Sequence, residues 1–111
     1  MPARILLALD TPDVATAVAQ ARAVGPAVDG IKLGLEFFVA NGPAGVREVQ
    51  AEGQPLFLDL KFHDIPNTVA GAIRSALALR PLMLDVHVGG GRRCCAGRRK
   101  RSARPARLAR C

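Results

Sequence analysis

The sequence predicts an α/β chain built from successive βα units on a parallel sheet, and three observations predict it. Short apolar runs alternate with longer stretches of helical period. Turn and capping residues mark the joints, as in Thr11-Pro12-Asp13, Gly25-Pro26 and Asn41-Gly42-Pro43. Each apolar run also stops on charged or titratable residues: Asp10, then Lys32, then Asp59 and Lys61, then Asp85 and His87.

The elements follow in order. Arg4 to Leu9 reads as a first strand, and Asp13 supplies N-cap chemistry for an Ala- and Val-rich helix from Val14 to Val24, which Gly25-Pro26 ends. Gly30 to Leu33 is a second strand. After Asn41-Gly42-Pro43 a helix through Val46, Val49 and Gln50 runs out at Gly53. Pro55 to Lys61 is the third strand. Asn67 or Thr68 can cap a third helix reaching about Leu79, with Val69, Ile73, Ala76 and Leu77 spaced for one buried face. Met83 to His87 is the fourth strand, followed by Gly89-Gly90-Gly91.

Composition divides the chain at that point. The 111 residues hold 16 basic and 9 acidic side chains, a balance that by itself would suggest a nucleic-acid or anionic-surface partner. Nine of the basic residues lie between Arg92 and Cys111, with no acid among them, so residues 1–91 are mildly acidic. Cys94, Cys95 and Cys111 also all lie in this tail. A thiol-free body suits a reducing cytoplasm, and an odd count with an adjacent pair does not suit a disulfide framework. Ile5 to Leu9 is too short for a signal-peptide core or a membrane span, so the expected setting is cytoplasmic, away from the membrane.

The third strand carries the chemistry. Side chains alternate across a strand, so Phe57, Asp59 and Lys61 share one face while Leu58, Leu60 and Phe62 share the other. If the leucine face packs under the outer helices, Asp59 and Lys61 look inward, where isolated charges persist only when paired. Asp64 lies just beyond, in a loop that Pro66 stiffens. Such a pair can serve stability alone, yet a desolvated lysine flanked by carboxylates at a strand mouth also holds a proton donor ready. Charged residues at one strand end commonly mark only where the strand meets water. Four strands with the same ending favour a shared site, because the C-terminal ends of barrel strands converge on one face.

The spacing Asp59-x-Lys61-x-x-Asp64, within Leu58-Asp59-Leu60-Lys61-Phe62-His63-Asp64-Ile65-Pro66-Asn67-Thr68, resembles the signature of the orotidine 5′-phosphate decarboxylase family. Leu7-Ala8-Leu9-Asp10 and Ile31-Lys32-Leu33-Gly34 add to the likeness, which covers residues 3–91. It implies a partial (β/α)8 TIM barrel of four strands and three helices over residues 1–91, since a complete barrel needs about 250 residues. It further implies decarboxylation of orotidine 5′-phosphate to uridine 5′-phosphate in pyrimidine biosynthesis, with no metal and no organic cofactor. By the same likeness Asp10 binds the substrate ribose, and Lys32 bonds the ribose while joining a charge network. Asp59 sits near the departing carboxylate and Lys61 protonates C6. Asp64, also a catalytic residue by this likeness, and Thr68 complete the neighbouring site of a homodimer, and Ile65 binds substrate. His87 matches a residue without a chemical step, and a hydrogen-bonded structural histidine is the expectation there.

The family's phosphate-gripping loop and arginine belong to later strands, and nothing in Arg92 to Cys111 matches them. The irregular basic tail, residues 92–111, is expected to be disordered or frameshift-derived. Bases that can encode Gly91-Arg92-Arg93-Cys94-Cys95-Ala96 read Ala-Ala-Met-Leu-Arg in another frame, a plausible helix start, and the coding DNA tests this. Two alternatives stay open: an inactive barrel fragment, or a scaffold whose basic tail binds nucleic acid. Nucleic acid is the weaker partner, because no aromatic residue in the tail could stack on bases.

Overall fold

Residues 3–90 are described by the computed structural model, and the basic tail with its frameshift reading lies outside the described residues. The four apolar runs form strands β1 (Leu6–Ala8), β2 (Gly30–Gly34), β3 (Leu56–Phe62) and β4 (Met83–Val86). They make one parallel sheet in the order β1-β2-β3-β4. Parallel neighbours need a long crossover, and each of the three connections here carries a helix. Helix α1 spans Val14–Val24, α2 spans Leu35–Gln50 and α3 spans Pro66–Leu77. Short 3₁₀ turns follow α1 at Gly25–Ala27 and β4 at Val88–Gly90.

The first helix forms where its cap predicts. Asp13 stands at the N-cap in extended conformation, and its carboxylate accepts the Thr16 N–H at 2.8 Å. Ala17 and Ala21 are its buried side, small enough to bring α1 close to its neighbours.

Two helix starts depart from expectation. Helical structure in α2 begins at Leu35, directly after β2, in a first segment that the sequence does not announce. Asn41-Gly42-Pro43 separates it from a second segment, since Gly42 takes the non-helical φ 62 and ψ −166, and the segment through Val46, Val49 and Gln50 follows this break as expected. The Asn41 side-chain amide ties the bend, donating to the Phe37 carbonyl at 3.0 Å and to the Pro12 carbonyl at 2.7 Å. Buried Phe37 supplies the apolar anchor of the first half. Helix α3 begins at Pro66, with Ile65 at the N-cap and no side-chain capping bond, so neither Asn67 nor Thr68 is the cap. A proline at the first helical position lacks only a donor that would be orphaned anyway, and its fixed φ starts the helix early. Val69, Ile73 and Ala76 are buried as the spacing predicts, with Leu77 partly buried beside them.

One apolar core joins sheet and helices. Ile31, Leu33, Leu56, Leu58 and Leu84 from the strands meet Phe37, Val46, Val49, Val69 and Ile73 from the helices. Each such side chain contributes about 1.5–3 kcal/mol on leaving water. Around the lower ends of the strands, polar side chains fasten the connections. Gln54 donates to the carbonyls of Ala21 at 2.8 Å and Gly25 at 2.9 Å, Gln50 donates to the Leu79 carbonyl at 2.6 Å, and Arg22 pairs with Glu52 at 2.9 Å. The opposite strand ends carry Asp10, Lys32, Asp59, Lys61 and Asp85, and there the site forms.

Candidate active site

The geometry starts with a break in the β3–β4 ladder. Phe57 pairs with Met83 and Leu58 with Leu84, but the next pairing is Phe62 with Val86. Asp59, Leu60 and Lys61 therefore oppose Asp85 alone, so β3 bulges at the point where its charged residues lie. Lys61 takes φ 47, a left-handed conformation that a side-chain-bearing residue rarely adopts. Its N–H donates to the Asp85 carboxyl at 3.0 Å instead of to a strand carbonyl.

The bulge gathers opposite charges. Asp59 is 8% exposed, and its two oxygens face two cations: Lys61 Nζ at 2.5 Å and Lys32 Nζ at 3.5 Å. Both lysines, Asp59 and Asp10 line one cleft of about 230 Å³ at the strand mouths. Leu35 and Glu36 of α2 complete its rim. These two residues escaped the sequence reading because the first half of α2 did; the apolar run Phe37-Phe38-Val39 after Glu36 carries no helical period that would announce it.

Burial raises the Asp59 carboxyl, but hydrogen bonds from Asp85 and Lys61 and the charges of both lysines outweigh it and hold Asp59 below its ordinary value. Asp85 moves the other way, pushed up by burial and by its hydrogen bond to Asp59. The two neighbouring carboxyls are therefore driven apart, Asp59 toward the anion and Asp85 toward the acid. Lys61 is raised by its hydrogen bond to Asp59 and by the negative charges of Asp59, Asp85 and Asp10, against a smaller effect of burial.

Not every expectation holds. Lys61 is flanked by carboxylates, as predicted, but it is not desolvated: its side chain is 61% exposed, and its pKa moves up rather than down. The cleft is open on the Lys61 side, so pairing outweighs burial there. Asp59 and Lys61 do face the same cleft, although the bulge and the left-handed Lys61 interrupt regular strand geometry between them. Asp64, Ile65 and Thr68 lie exposed on the loop after β3 and the first turn of α3, apart from the residues that line the cleft. Asp64 accepts the Ile65 N–H at 2.7 Å. His87 accepts the Gly89 N–H on Nδ1 at 3.0 Å and stacks on His63 with ring centres 4.7 Å apart. Asp85 was legible only as a charged strand end; its contact with Lys61 depends on a register that alternation does not reveal.

Fold and site together define a class: βα-barrel architecture whose strand mouths bear alternating cations and carboxylates. The description "Orotidine 5'-phosphate decarboxylase / HUMPS family" belongs to the family model that matches residues 3–104, a match that runs past Gly91, where the motif resemblance stopped. The chain belongs to this family. It is 58% identical over 88 residues to an orotidine 5′-phosphate decarboxylase of Novosphingobium aromaticivorans, covering 79% of this chain and 39% of the relative. With the corresponding protein of Rhodospirillum rubrum it shares 56% over 89 residues, covering 79% and 36%. Among solved structures, orotidine 5′-phosphate decarboxylase from Pyrococcus horikoshii superposes with a TM-score of 0.79 at 27% identity, covering 86% of this chain and 46% of that one. The chain thus spans about two fifths of the length of these curated relatives.

Proposed function

We propose that the chain carries the proton-donating part of an orotidine 5′-phosphate decarboxylase site, serving conversion of that nucleotide to uridine 5′-phosphate. The observation that carries the reading is the Lys32–Asp59–Lys61 charge run inside the strand-mouth cleft, with Asp10 on the same wall. Family membership and the named relatives support it.

The difficulty of the reaction is a carbanion at C6 of the pyrimidine. The bond from C6 to the carboxylate breaks, carbon dioxide leaves, and the electron pair remains on C6. Lys61 delivers a proton from its ammonium to that carbon and is reprotonated from solvent. A fixed ammonium interacts more strongly with the developing carbanion than with the starting carboxylate, and only such differential stabilisation speeds the step. Asp59 anchors the ammonium within reach, and Lys32 holds the second Asp59 oxygen, which fixes the carboxylate between two cations. Lys32 and Asp10 take the ribose. Asp64 and Thr68, exposed beside β3, serve the neighbouring subunit of a homodimer, and exposed Ile65 binds substrate.

The test is the fall in orotidylate absorbance on adding the purified chain. Consumption is expected, with Lys61→Ala lowering its rate by about 10²–10⁴-fold, the ordinary contribution of a positioned proton donor. Absence of consumption, or consumption indifferent to Lys61→Ala, would overturn the reading.

A further inference from the structure

We propose that Asp85 is a positioning residue: from β4 it holds the Lys61 backbone in the β3 bulge, so that the Lys61 ammonium is set on the wall of the cleft against Asp59. The inference rests on the functional reading above for its consequence in turnover, but its structural content stands on the bulge.

The bulge creates a need that β4 meets in an unusual way. Between the Leu58–Leu84 and Phe62–Val86 pairs the regular ladder is interrupted, so the Lys61 N–H turns to a side-chain acceptor. Asp85 Oδ1 accepts it at 3.0 Å. The same contact fixes the left-handed turn at Lys61, and that turn brings the ammonium back to Asp59, two residues earlier in the strand. One side chain therefore determines where the proton donor stands.

Through Lys61, Asp85 borders a cleft whose charged groups are Asp10 after β1, Lys32 on β2, Glu36 on α2, and Asp59 and Lys61 on β3. Burial and the neighbouring Asp59 push its carboxyl up, while the Lys61 N–H opposes that shift. The contact with the Lys61 N–H needs only an acceptor oxygen, so asparagine could do the same work through its amide oxygen.

Asp85→Asn and Asp85→Ala in the full chain separate the possibilities. Amide hydrogen exchange at Lys61 is the first readout, because it reports the Asp85 contact whether or not the chain turns over substrate. Exchange is expected to stay slow in Asp85→Asn and to quicken by about tenfold or more in Asp85→Ala. In turnover, Asp85→Ala is expected to lower kcat about tenfold or more with KM within about threefold, and Asp85→Asn to restore kcat. Unchanged Lys61 exchange in Asp85→Ala overturns the proposal, as does Asp85→Asn matching the alanine variant in both readouts. If Asp85→Ala does not fold by circular dichroism, Asp85→Asn decides alone, since lost Lys61 protection there overturns the idea. If the unaltered chain consumes no orotidylate, the functional reading fails, and Lys61 exchange still decides the positioning.

Discussion

At Asp59 burial and charge pull against each other, and the outcome sets the pH window of the site. Burial alone would favour the neutral acid, yet the Asp85 and Lys61 hydrogen bonds and two ammonium charges keep Asp59 ionised below the ordinary carboxylate range. Stability from a lowered carboxyl is present above its unfolded value and is lost as pH falls through the folded one. Lys61 is raised, so its share is complete below the ordinary lysine range and is lost as pH rises through its higher folded value. Nitrogen-15 titration of Lys61 Nζ should therefore show a midpoint above that of a free lysine, and Asp59→Asn should return it toward the ordinary value. A midpoint at or below the free value would contradict the ion pair. Asp59 and Lys61 were legible in sequence because a two-residue spacing in a strand puts two side chains on one face. Asp85 was not, because only the register reveals that three β3 residues stand against it.

Among the elements, α2 differs most from its sequence reading, and its first turn lines the cleft. Asn41-Gly42-Pro43 reads as the turn ahead of a helix through Val46 and Val49, and Gly42 with its positive φ does break the helix there. Tertiary contacts hold the two segments in place: Phe37 is buried on one side of the break, Val46 and Val49 on the other, and Asn41 bonds across to Pro12 beside the mouth of β1. Helix α1, by contrast, matched its reading end to end, because a capping aspartate and a Gly-Pro stop are local signals that nothing opposes. The bend also packs tightly. A Cβ added at Gly45 would lie 2.4 Å from the Asn41 Cβ and 3.3 Å from Val14 Cγ2 on α1. Gly45→Ala is therefore expected to destabilise the chain by about 1–3 kcal/mol, the ordinary range for overpacking, despite alanine's better helix propensity. Urea unfolding measures it, and a midpoint unchanged or raised would show that α2 can slide without loss.

For the whole molecule, the sheet has two edges among the described residues. Strands β1 and β4 each have one neighbour, so each presents a row of unpaired backbone groups. Exposed apolar side chains flank both edges: Ile5 before β1 is 61% exposed and Val88 after β4 is 68% exposed. Against association stands the formal charge of +7 on the chain, a repulsion that salt screens over about 10 Å at 0.1 M. If edges and apolar flanks dominate, the 111-residue chain self-associates as its concentration rises, and added salt strengthens the effect by removing the repulsion. A complex held by charge would weaken with salt instead. Sedimentation velocity at low and high salt should show mass rising with both protein concentration and salt. Ile5→Lys with Val88→Lys should reverse it, because lysines on an edge resist pairing and remove the two apolar flanks. The exposed Asp64–Thr68 face is untouched by those changes, so a dimer that persists in the double variant does not depend on the two edge flanks. A chain that remains monomeric under every condition would show that two short edge strands, three and four residues long, offer too little backbone to pair.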